Sequence, residues 1–543
     1  MAKQYENKTK EELLKIIDEL ENKKEYGLVW DEERIPEQVV QDCQNNLPVL
    51  KEVKSKEITT NDNEPTHILI EGDNYHALSV LNYTHKNKID VIYIDPPYNT
   101  GNKDFIYNDK FVDKEDTYRH SKWLAFMNKR LELAKDLLKD TGVIFISINE
   151  EELAQLKILC DKVFDERNYL SMFSIKVRHE DRILKGDKDF HEVVEYLLLY
   201  RKTSNFKTIK RIRDNTSILD YRYTVIEKFS TPRKVKFGEK DVFVFKPNEF
   251  EILKGEASGT KLKKINIRGS IKEGNSSGRF FMKYLNDRIG KQNGFLYKVP
   301  NIGDDGLGYR YFLMPSKTNK VNGDYFQGVP LTKEDTKEVP YPNYFDYVEE
   351  FKNVGYEGDI DFRNGKKPID FLMKILEIGG CKENKKANVL DFFAGSGSML
   401  HSILQMNKEI DGKLQCILVT NNENNICTDV CYPRLQKVMK GYKNAKGENV
   451  EGLGGNLKYF KTSFVKSVRN KDQLKIDITH HCTEMLCLKE GIYNLIKGTD
   501  EDDYKIFQHP TKTAQRTMAV YYNFIGEQLN ELKKEMNTIS GEK

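Results

Sequence analysis

The chain has 543 residues, 38% of them hydrophobic and 31% charged, which fits a water-soluble protein of roughly two to four domains. No apolar run approaches the roughly 18 residues of a membrane span, and residues 1–5 carry no apolar signal region, so we expect a cytoplasmic protein without a membrane segment. The eight cysteines show no framework spacing, which argues against a disulfide-stapled fold and predicts reduced thiols.

The net charge of +3 conceals an uneven distribution of charge. Residues 203–300 contain 22 Lys and Arg against 10 Asp and Glu, an excess of +12, so the remainder of the chain carries −9 (3 minus 12). A basic segment within an otherwise acidic protein indicates a region that faces nucleic acid. A lysine-rich surface that is only solvated is the alternative.

The first predicted elements are a helical segment and a strand–turn–helix unit. Residues 1–25 place apolar side chains at helical spacing among Lys and Glu, so residues 1–65 are assigned to an N-terminal helical segment. Residues 67–70 predict a strand and residues 74–83 a helix. Asp73 lies between them, where it either caps the helix or faces a ligand at the strand end.

The strand predicted over residues 89–94 ends abruptly at Asp95-Pro96-Pro97-Tyr98. A strand cannot continue through two prolines, because neither can donate to the ladder. The Asp95 carboxylate is therefore expected at the carboxyl end of a central strand, where open α/β sheets bind their ligands. Acceptor oxygens beside the Tyr98 ring suit a planar base with an exocyclic amine. A stiff surface turn is the alternative interpretation.

The α/β pattern continues to residue 202. A helix is predicted over residues 117–138 and buried strands over residues 142–148 and 193–200. Residues 66–202 therefore predict one half of a doubly wound sheet. His191 and Glu192 precede the last strand and are either structural or close to the site.

Residues 203–340 change character. Short β-rich pieces such as residues 242–245 replace the long helices, and a helix is predicted over residues 278–289. The side chains proposed to neutralise phosphates are Arg233, Lys234, Lys236, Lys261, Lys263, Lys264, Arg268 and Arg279. Phosphate contacts position a protein without reading sequence, so other side chains would read base edges in the major groove.

Residues 341–464 return to the α/β pattern. A strand over residues 388–393 leads through a loop with Gly395 and Gly397 into a helix. The loop lacks the third glycine of the dinucleotide fingerprint and the Gly-Lys-Ser/Thr ending of a phosphate loop. The strand over residues 416–420 ends at a group of acceptors, of which Glu423 is preferred for a ribose, with Asn422 and Asn424 as alternatives.

Residues 465–543 are predicted as a mostly helical tail rich in Lys and Glu. His480, His481, Cys482 and Cys487 fit no standard zinc spacing, so a structural role is favoured and no metal is expected.

Two motifs carry a resemblance to a known family. Asp95-Pro96-Pro97-Tyr98 looks like the catalytic motif of DNA amino-methyltransferases that modify adenine N6. The stretch from Asp391 to Ser398 resembles the S-adenosylmethionine loop of the same enzymes. The run from Asp95 to Phe111 resembles the modification subunit of type III restriction–modification systems.

The resemblance implies a fold and a set of site residues. The fold class is α/β, a doubly wound Rossmann-like sheet in circularly permuted (β-class) order, with an inserted α+β target-recognition domain at residues 203–340 and a helical C-terminal tail. Asp95, Pro96, Pro97 and Tyr98 would be catalytic, with the base flipped onto Tyr98. The residues implied for S-adenosylmethionine are Asp73, Phe362, Asn364, Lys367, Asp391, Phe393, Gly395, Gly397 and Glu423.

The implied activity is site-specific methylation of adenine N6 in double-stranded DNA by a type III modification subunit. The resemblance further implies a homodimer and a separate restriction subunit with helicase and nuclease activities. Cytosine-N4 methylation, an RNA substrate, and a DNA-binding specificity subunit that guides a nuclease are the alternatives. Families that act on cytosine tend to have Ser where Asp95 stands, which favours adenine.

Overall fold

The computed structural model describes residues 9–10, 37–61, 63–101, 104–108, 110–181, 189–214, 217–267, 276–316, 322–331, 336–360, 362, 365–444, 447–465, 471–499, 502–509, 516–522 and 528–539. Most of the predicted N-terminal helix, Asn364 and Arg268 lie outside these residues. The chain divides into two compact units, one of Met1–Ile209 with Pro342–Lys543 and one of Lys210–Tyr341.

The first unit is built on a ten-stranded mixed sheet. In chain order its strands are β1 (Leu47–Glu52), β2 (Thr66–Glu71), β3 (Ile89–Ile94), β4 (Leu138–Ile148), β5 (Tyr169–Lys176), β6 (Val194–Arg201), β7 (Tyr344–Asp346), β8 (Asn388–Asp391), β9 (Gln415–Thr420) and β10 (Asn456–Val465). Their spatial order is β1-β10-β2-β9-β8-β3-β4-β6-β5-β7. The six strands from β10 to β4 are mutually parallel, whereas β6 is antiparallel to β4. The predicted α/β fold class is confirmed.

The described helices of the first unit flank this sheet and bury its apolar strands, except the last helix, which packs against the C-terminal strands. They are α1 (Gln38–Asn45), α2 (Asn74–Thr84), α3 (Arg119–Leu137), α4 (Leu153–Phe164), α5 (Val348–Asn353), α6 (Ile369–Ile378), α7 (Ser398–Ile410), α8 (Tyr432–Lys440), α9 (Lys471–Glu490) and α10 (Leu529–Thr538). The side chains of Ile92, Trp123 and Leu131 are fully buried in the core that β3 and α3 share. Strands buried on both faces read as continuous apolar runs, which is why β3 could be predicted from sequence.

Short elements complete the first unit. Single helical turns occupy Lys54–Lys56, Glu166–Asn168, Val354–Asp359 and Glu423–Asn425, and a π-helix occupies Ile426–Cys431. Two-stranded pairs are formed by Ile106–Tyr107 with Lys110–Phe111 and by Gly441–Lys443 with Asn449–Glu451. In the described part of the chain no helix is long and apolar enough to cross a membrane.

The neighbouring strands β8 and β3 form a topological switch point. β8 is followed by α7 and by β9 on one side, whereas β3 is followed by α3 and by β4 on the other. In open α/β sheets a crevice for ligands opens at the carboxyl ends of two such strands. The two strands are about 300 positions apart in sequence, since Asn388 follows Ile89 by that distance. Both halves of the chain are therefore needed to form the crevice.

The C-terminal tail differs from the prediction. A three-stranded antiparallel sheet of Asn494–Lys497, Tyr504–Gln508 and Thr517–Tyr521 lies between α9 and α10 in sequence, so the tail combines the predicted helices with strands that the prediction did not include. Tyr504 and Ile506 are buried on one face of the central strand, against Leu532 of α10, and Phe507 is buried on the other face. The strands are only four or five residues long, so the surrounding Lys and Glu obscure their periodicity in the sequence.

The second unit is an α+β structure. Its six-stranded antiparallel sheet has the order Arg233–Phe237, Lys240–Phe245, Leu296–Pro300, Tyr309–Leu313, Asp324–Gln327 and Lys263–Asn266. Phe280 and Phe281 of the helix Ser276–Tyr284 pack against one sheet face. That helix is shorter than the predicted 278–289 and is followed by a helical turn at Asn286–Arg288. Two-stranded pairs join Tyr223–Glu227 to Phe250–Lys254 and Arg211–Asp214 to Thr336–Val339.

Candidate active site

The turn after β3 is fixed from several directions. Its two prolines restrict φ, and the buried Trp123 indole donates a hydrogen bond to the Pro97 carbonyl at 2.7 Å. Asn99, which has a φ of +57°, donates its amide to the buried Glu152 carboxylate at 2.5 Å. Asn tolerates this left-handed conformation better than most residues. The carboxylate of Asp95 is therefore presented by a rigid turn.

Asp95 belongs to a network of four polar side chains. The Tyr98 hydroxyl lies 2.9 Å from Asp95 Oδ1 and 3.0 Å from Glu195 Oε2, within hydrogen-bond reach of both. The Lys367 ammonium donates to Glu195 Oε2 at 2.7 Å and to the Tyr98 hydroxyl at 2.8 Å. It also lies 3.2 Å from Asp95 Oδ1. The side chains of Asp95, Glu195 and Lys367 are 20%, 16% and 10% exposed, so the network is largely shielded from water.

Burial and charge act differently on the two carboxyl groups. Burial raises the pKa of Asp95 and outweighs the opposing effect of Lys367, and the Glu195 charge raises it further. Burial would also raise the pKa of Glu195, but the charge and hydrogen bonds of Lys367, with the bond from Tyr98, hold it below its usual value. Burial raises the pKa of Tyr98 well above its ordinary value, so the phenol stays protonated. When both carboxyl groups are ionised, the single ammonium leaves the network with a net charge of −1.

The glycine loop that follows β8 is the second part of the site, beside the Asp95 network. Gly395 and Gly397 have φ of +50° and +77°, a region that favours glycine. A Cβ on Gly397 would lie 3.0 Å from the Cys431 sulfur, so close packing as well as conformation requires glycine there. Asp391 ends β8, is 4% exposed, and accepts a hydrogen bond from the Phe393 amide at 3.0 Å. Burial, with a contribution from Asp95, raises the pKa of Asp391 to about 8.

A fully buried arginine supports the same loop. Arg434 of α8 donates to the Ser398 hydroxyl at 2.7 Å and to the Ser396 hydroxyl at 3.1 Å. Its second terminal nitrogen lies 3.3 Å from His401 Nδ1 and 3.6 Å from Glu357. A buried guanidinium is stable only with such partners. Hydrogen bonds from Arg434 to two serine side chains therefore hold the loop in place.

Asp73 has a structural role as well as a place in the site. It caps α2, accepting from the Tyr75 amide at 2.7 Å and from the His76 amide at 3.4 Å. The buried Arg130 lies 3.4 Å from its other oxygen and pairs with Glu37 at 3.0 Å. The capping interpretation is thus correct, and the side chain of Asp73 is still 41% exposed. It can therefore also meet a ligand.

Two cavities meet at the switch point. The first, of about 950 Å³, is bounded by the Asp95 network together with Phe351, Asp391 and the glycine loop. The second, of about 600 Å³, is bounded by Asp73, Glu423 and a set of aromatic side chains. The walls common to both are Asp95, Pro97, Asp104, Phe393, Gly395 and Ile426. Both volumes lie in the range of small-molecule sites, roughly 300–1,000 Å³.

The chemistry of the two cavities is complementary. The first presents acceptor oxygens and a tyrosine ring, which suits an amine on a planar group. The second has carboxylates at its rim and Phe105, Phe126 and Phe392 along its walls, which suits a nucleoside. Among the residues that the structure describes, no group of three or more His, Cys, Asp or Glu side chains is placed to hold a metal ion. The acceptor oxygens of the first cavity and the aromatic walls of the second are joined at Asp95, which is a wall of both.

Residues 89–429 match a protein-family model described as DNA methylase, which covers more than half of the chain. The chain belongs to the DNA methylase family. The match runs from the first residue of β3 through the glycine loop to the π-helix after β9, so it includes the Asp95 network and the shared walls of the two cavities. The family resemblance predicted from the motifs is confirmed.

Individual relatives of this DNA methylase extend the comparison. It is 31% identical over 428 residues to the probable type III restriction-modification enzyme HindVI Mod subunit of Haemophilus influenzae, covering 72% of the chain and 53% of that protein. It is 28% identical over 374 residues to the type II methyltransferase M.KpnI of Klebsiella pneumoniae, covering 66% and 82%. The chain thus spans about half the length of the Mod subunit. The solved PvuII cytosine-N4-specific DNA methyltransferase shares 8% identity at a TM-score of 0.31, over 67% of this chain and 85% of that one.

The structure brings most of the predicted site residues of this DNA methylase together. Asp95, Pro96, Pro97, Tyr98, Lys367, Asp391, Phe393 and Gly395 line the first cavity. Asp73 and Glu423 line the second. Gly397 belongs to the loop but lines neither cavity, and it packs against Cys431 and Leu435 instead. Among the described residues that line the cavities, Phe362 does not appear.

The predicted DNA contacts lie in the second unit. Arg233, Lys234 and Lys236 lie on one edge strand of its six-stranded sheet, whereas Lys263 and Lys264 lie on the opposite edge strand. Lys261 precedes that second strand, and Arg279 lies on the helix. Lys234, Lys263 and Lys264 form ion pairs with Asp241, Asp220 and Asp324 at 2.8–3.0 Å. The sequence clusters are thus two separate basic edges, each with part of its charge already compensated.

Sequence reasoning missed three residues of the site. Glu195 was overlooked in favour of His191 and Glu192, although a lone carboxylate within an apolar strand is itself a signal, because burying a charge without a partner is costly. The sequence patterns assign Arg130 and Arg434 no role in the site. Both are fully buried; Arg130 is a wall of the second cavity, and Arg434 supports the glycine loop. Only the three-dimensional structure shows their partners.

Proposed function

We propose that this chain is an S-adenosylmethionine-dependent DNA methyltransferase that modifies adenine N6. The observation that carries the proposal is the position of Asp95. Its carboxylate stands at the end of β3, forms a wall of both cavities, and is adjacent to the glycine loop of β8. A methyl donor and an acceptor amine bound in neighbouring cavities would approach each other there, and positioning of this kind supplies much of the rate.

The second cavity and the loop fit the donor. Asp73 accepts from the adenine amino group and Glu423 from the ribose hydroxyls in this proposal, and the aromatic walls hold the base; the presence of all of them in one cavity supports these roles. Asp391, Phe393 and Gly395 lie toward the methionine end. Bound S-adenosylmethionine supplies a methyl group on a positively charged sulfonium. The residual charge of −1 on the Asp95 network favours a cationic ligand beside it.

The first cavity fits the acceptor base. Asp95 and the Pro96 carbonyl accept the two N6 hydrogens, which favours a pyramidal nitrogen with its lone pair directed away from them. After transfer the nitrogen carries one proton too many, and Asp95 takes it. N6 is stacked within duplex DNA, so the base must be flipped out to reach the cavity, with Tyr98 as its stacking surface. The Asp at position 95 favours adenine over cytosine.

We further propose that Lys210–Tyr341 binds double-stranded DNA as the target-recognition domain. Its basic composition and two lysine-rich edges support this role. The similarity to type III Mod subunits supports a role as the modification subunit of such a system, acting in the cytoplasm as a homodimer with a separate restriction subunit. The greater coverage of a type II methyltransferase supports a second arrangement, in which the chain methylates DNA without a restriction subunit.

The test is base-resolved mapping of modified bases in genomic DNA from a methylation-deficient host. One culture expresses the chain and a second expresses Asp95→Ala. N6-methyladenine at a short sequence, absent with Asp95→Ala, is the expected result. Modification on one strand of an asymmetric site supports the type III assignment.

Other outcomes redirect the proposal. N4-methylcytosine would overturn the base assignment and leave the reaction standing. No modified base, from a folded protein that binds both the donor and duplex DNA, would favour a DNA-binding specificity subunit that guides a nuclease. Methylation confined to RNA would change the class of substrate.

A further inference from the structure

The contacts of Lys367 and Glu195 assign them a function that the family resemblance does not. We infer that this ion pair is a positioning device, which holds Asp95 by Oδ1 and thereby presents Oδ2 to the target amine. The inference rests on the proposed methyl transfer and deepens it. It concerns the acceptor side of the site, whereas the resemblance places Lys367 with the methyl donor.

The ammonium of Lys367 uses all three of its hydrogens within the network. Its three partners are Glu195 Oε2 at 2.7 Å, the Tyr98 hydroxyl at 2.8 Å and Asp95 Oδ1 at 3.2 Å. Because Tyr98 receives a hydrogen bond from Lys367, its own hydrogen is directed at a carboxylate, either Asp95 Oδ1 or Glu195 Oε2. Lys367 therefore reaches both carboxylates at once, and the Tyr98 hydroxyl adds a second hydrogen bond to one of them.

The contacts on Asp95 are one-sided. Both Tyr98 and Lys367 approach Oδ1, and no described residue donates a hydrogen bond to Oδ2. Asp95 forms a wall of both cavities, so its second oxygen is left for the ligands that enter them. An amine nitrogen must be met by an acceptor in a fixed direction if its lone pair is to be aimed at a methyl group. Fixing one oxygen of a carboxylate fixes the direction of the other.

Glu195 determines how strongly Lys367 acts on Asp95. An ammonium paired with Asp95 alone would neutralise the carboxylate and weaken it as an acceptor. Lys367 lies closer to Glu195, at 2.7 Å, than to Asp95, at 3.2 Å, so its charge is shared and mostly committed to Glu195. Asp95 thereby keeps its position without losing its negative charge. The two effects on the Asp95 carboxylate are opposed: Lys367 favours ionisation and Glu195 disfavours it.

Lys367 and Glu195 have opposite effects on the ionisation of Asp95. The inference can therefore be tested with two substitutions that each replace a charged side chain by the uncharged Gln. In single-turnover methyl transfer by the full chain, the acidic limb of the pH–rate profile reports ionisation of Asp95. Glu195→Gln removes a like charge and is expected to move that limb to lower pH. Lys367→Gln removes an opposite charge and is expected to move it to higher pH. Both variants should be about 10- to 100-fold slower at the plateau, because Asp95 is no longer fixed.

The matched control is Glu52→Gln. Glu52 pairs with Lys458 at 2.8 Å, the two side chains are 11% and 12% exposed, and neither residue lines the two cavities described. This variant removes an equally buried ion pair from the same sheet and should leave the acidic limb of the pH–rate profile at its wild-type pH. Calorimetric titration with S-adenosylmethionine provides a readout independent of turnover. All three variants should bind the donor within about threefold of wild type.

Several outcomes would overturn the inference. If the acidic limbs of both variants move in the same direction, or if neither limb moves while both plateau rates fall, the Lys367–Glu195 pair is merely structural. If Lys367→Gln loses donor binding, Lys367 belongs to the donor site. If Glu195→Gln does not fold, Tyr98→Phe replaces it, and loss of its hydrogen bond to Asp95 should move the limb to higher pH. If the wild type is active but the variants shift the acidic limb in other directions than expected, only this inference fails. If the wild type is inactive at every pH, the proposed function fails as well.

Discussion

Lys367 Nζ lies 2.7 Å from Glu195 Oε2, although 172 positions separate the two residues in sequence. The contact exists because of the direction of two elements. β6 is antiparallel to β4, so its first residues reach the edge of the sheet at which the parallel strands end. Lys367 stands just before α6 at the same edge. Asp95, Glu195 and Lys367 therefore meet only when the two halves of the first unit fold together.

The stability of the protein should depend on pH through Asp391. Its pKa is raised to about 8 by burial first and by Asp95 second, against about 3.9 in an unfolded chain. Between these values the folded protein holds one proton more than the unfolded chain, so this group makes the protein less stable as pH rises from about 4 to about 8. Above pH 8 the penalty stays constant.

Asp391→Asn should remove that penalty. Asn keeps an oxygen for the Phe393 amide and cannot ionise. The variant should therefore unfold at a higher temperature than wild type at pH 8, with a gain on the order of a few kcal/mol, and the gain should shrink toward pH 5. Thermal melts of both proteins across this range are the measurement. A difference in Tm that stays the same at all pH values would contradict a buried, neutral Asp391.

Two substitutions of Asp73 should separate its structural role from its proposed role in donor binding. Asn caps a helix about as well as Asp, and the buried Arg130 keeps its closer partner Glu37 at 3.0 Å, so Asp73→Asn should keep the cap of α2 and lower the Tm less than Asp73→Ala. It removes the charge that the proposed donor amino group meets, so the Kd for S-adenosylmethionine should rise by about tenfold. Asp73→Ala should weaken binding similarly and also cost about 1 kcal/mol of stability. Equal donor affinity in wild type and Asp73→Asn would leave only the capping role.

Local patterns were enough to predict the two motifs of the site. The apolar run of β3 ends at two prolines, and the apolar run of β8 ends at two glycines, so both loops follow from residues adjacent in sequence. These patterns single out Asp95, Asp391, Gly395 and Glu423, and all four line the cavities. Their chemistry is a property of short segments at strand ends.

The features that could not be predicted depend on pairing between segments that are distant in sequence. Nothing beside Glu195 in sequence shows that an ammonium 172 positions away compensates its charge. The basic clusters of the second unit read as one surface, yet four strands separate their two edge strands in the sheet. At about 4.8 Å per strand the clusters lie roughly 24 Å apart. The order of strands in an antiparallel sheet cannot be read from local periodicity.

The two loop glycines should respond differently to alanine. At Gly395 the nearest atom to an added Cβ is 3.9 Å away, so Gly395→Ala meets only the backbone cost of its φ of +50°, about 1–2 kcal/mol. At Gly397 the added Cβ also meets the Cys431 sulfur at 3.0 Å and Leu435 at 3.3 Å, so the loss of stability should be larger. Gly395→Ala places a methyl group at the wall shared by the cavities and should weaken donor binding in a folded protein. Thermal melts and donor titrations distinguish the two; equal melts would show that packing against Cys431 is unimportant.

The basic edges of the second unit should differ in their contribution to DNA binding. Lys236 is exposed and forms no ion pair with any described residue, whereas Lys264 pairs with Asp324 at 3.0 Å. An unpaired lysine on a phosphate releases close to one counterion, so Lys236→Ala should lower the slope of log K against log salt by about 0.9 and weaken binding to all sequences alike.

Lys264→Ala should change the slope less, because Asp324 already compensates its charge. Lys408→Ala, at an exposed lysine of the first unit that pairs with Glu451, is the control and should change neither quantity. An equal effect of all three substitutions would mean that net charge alone governs binding, and an unchanged slope for Lys236→Ala would exclude this edge from the DNA interface.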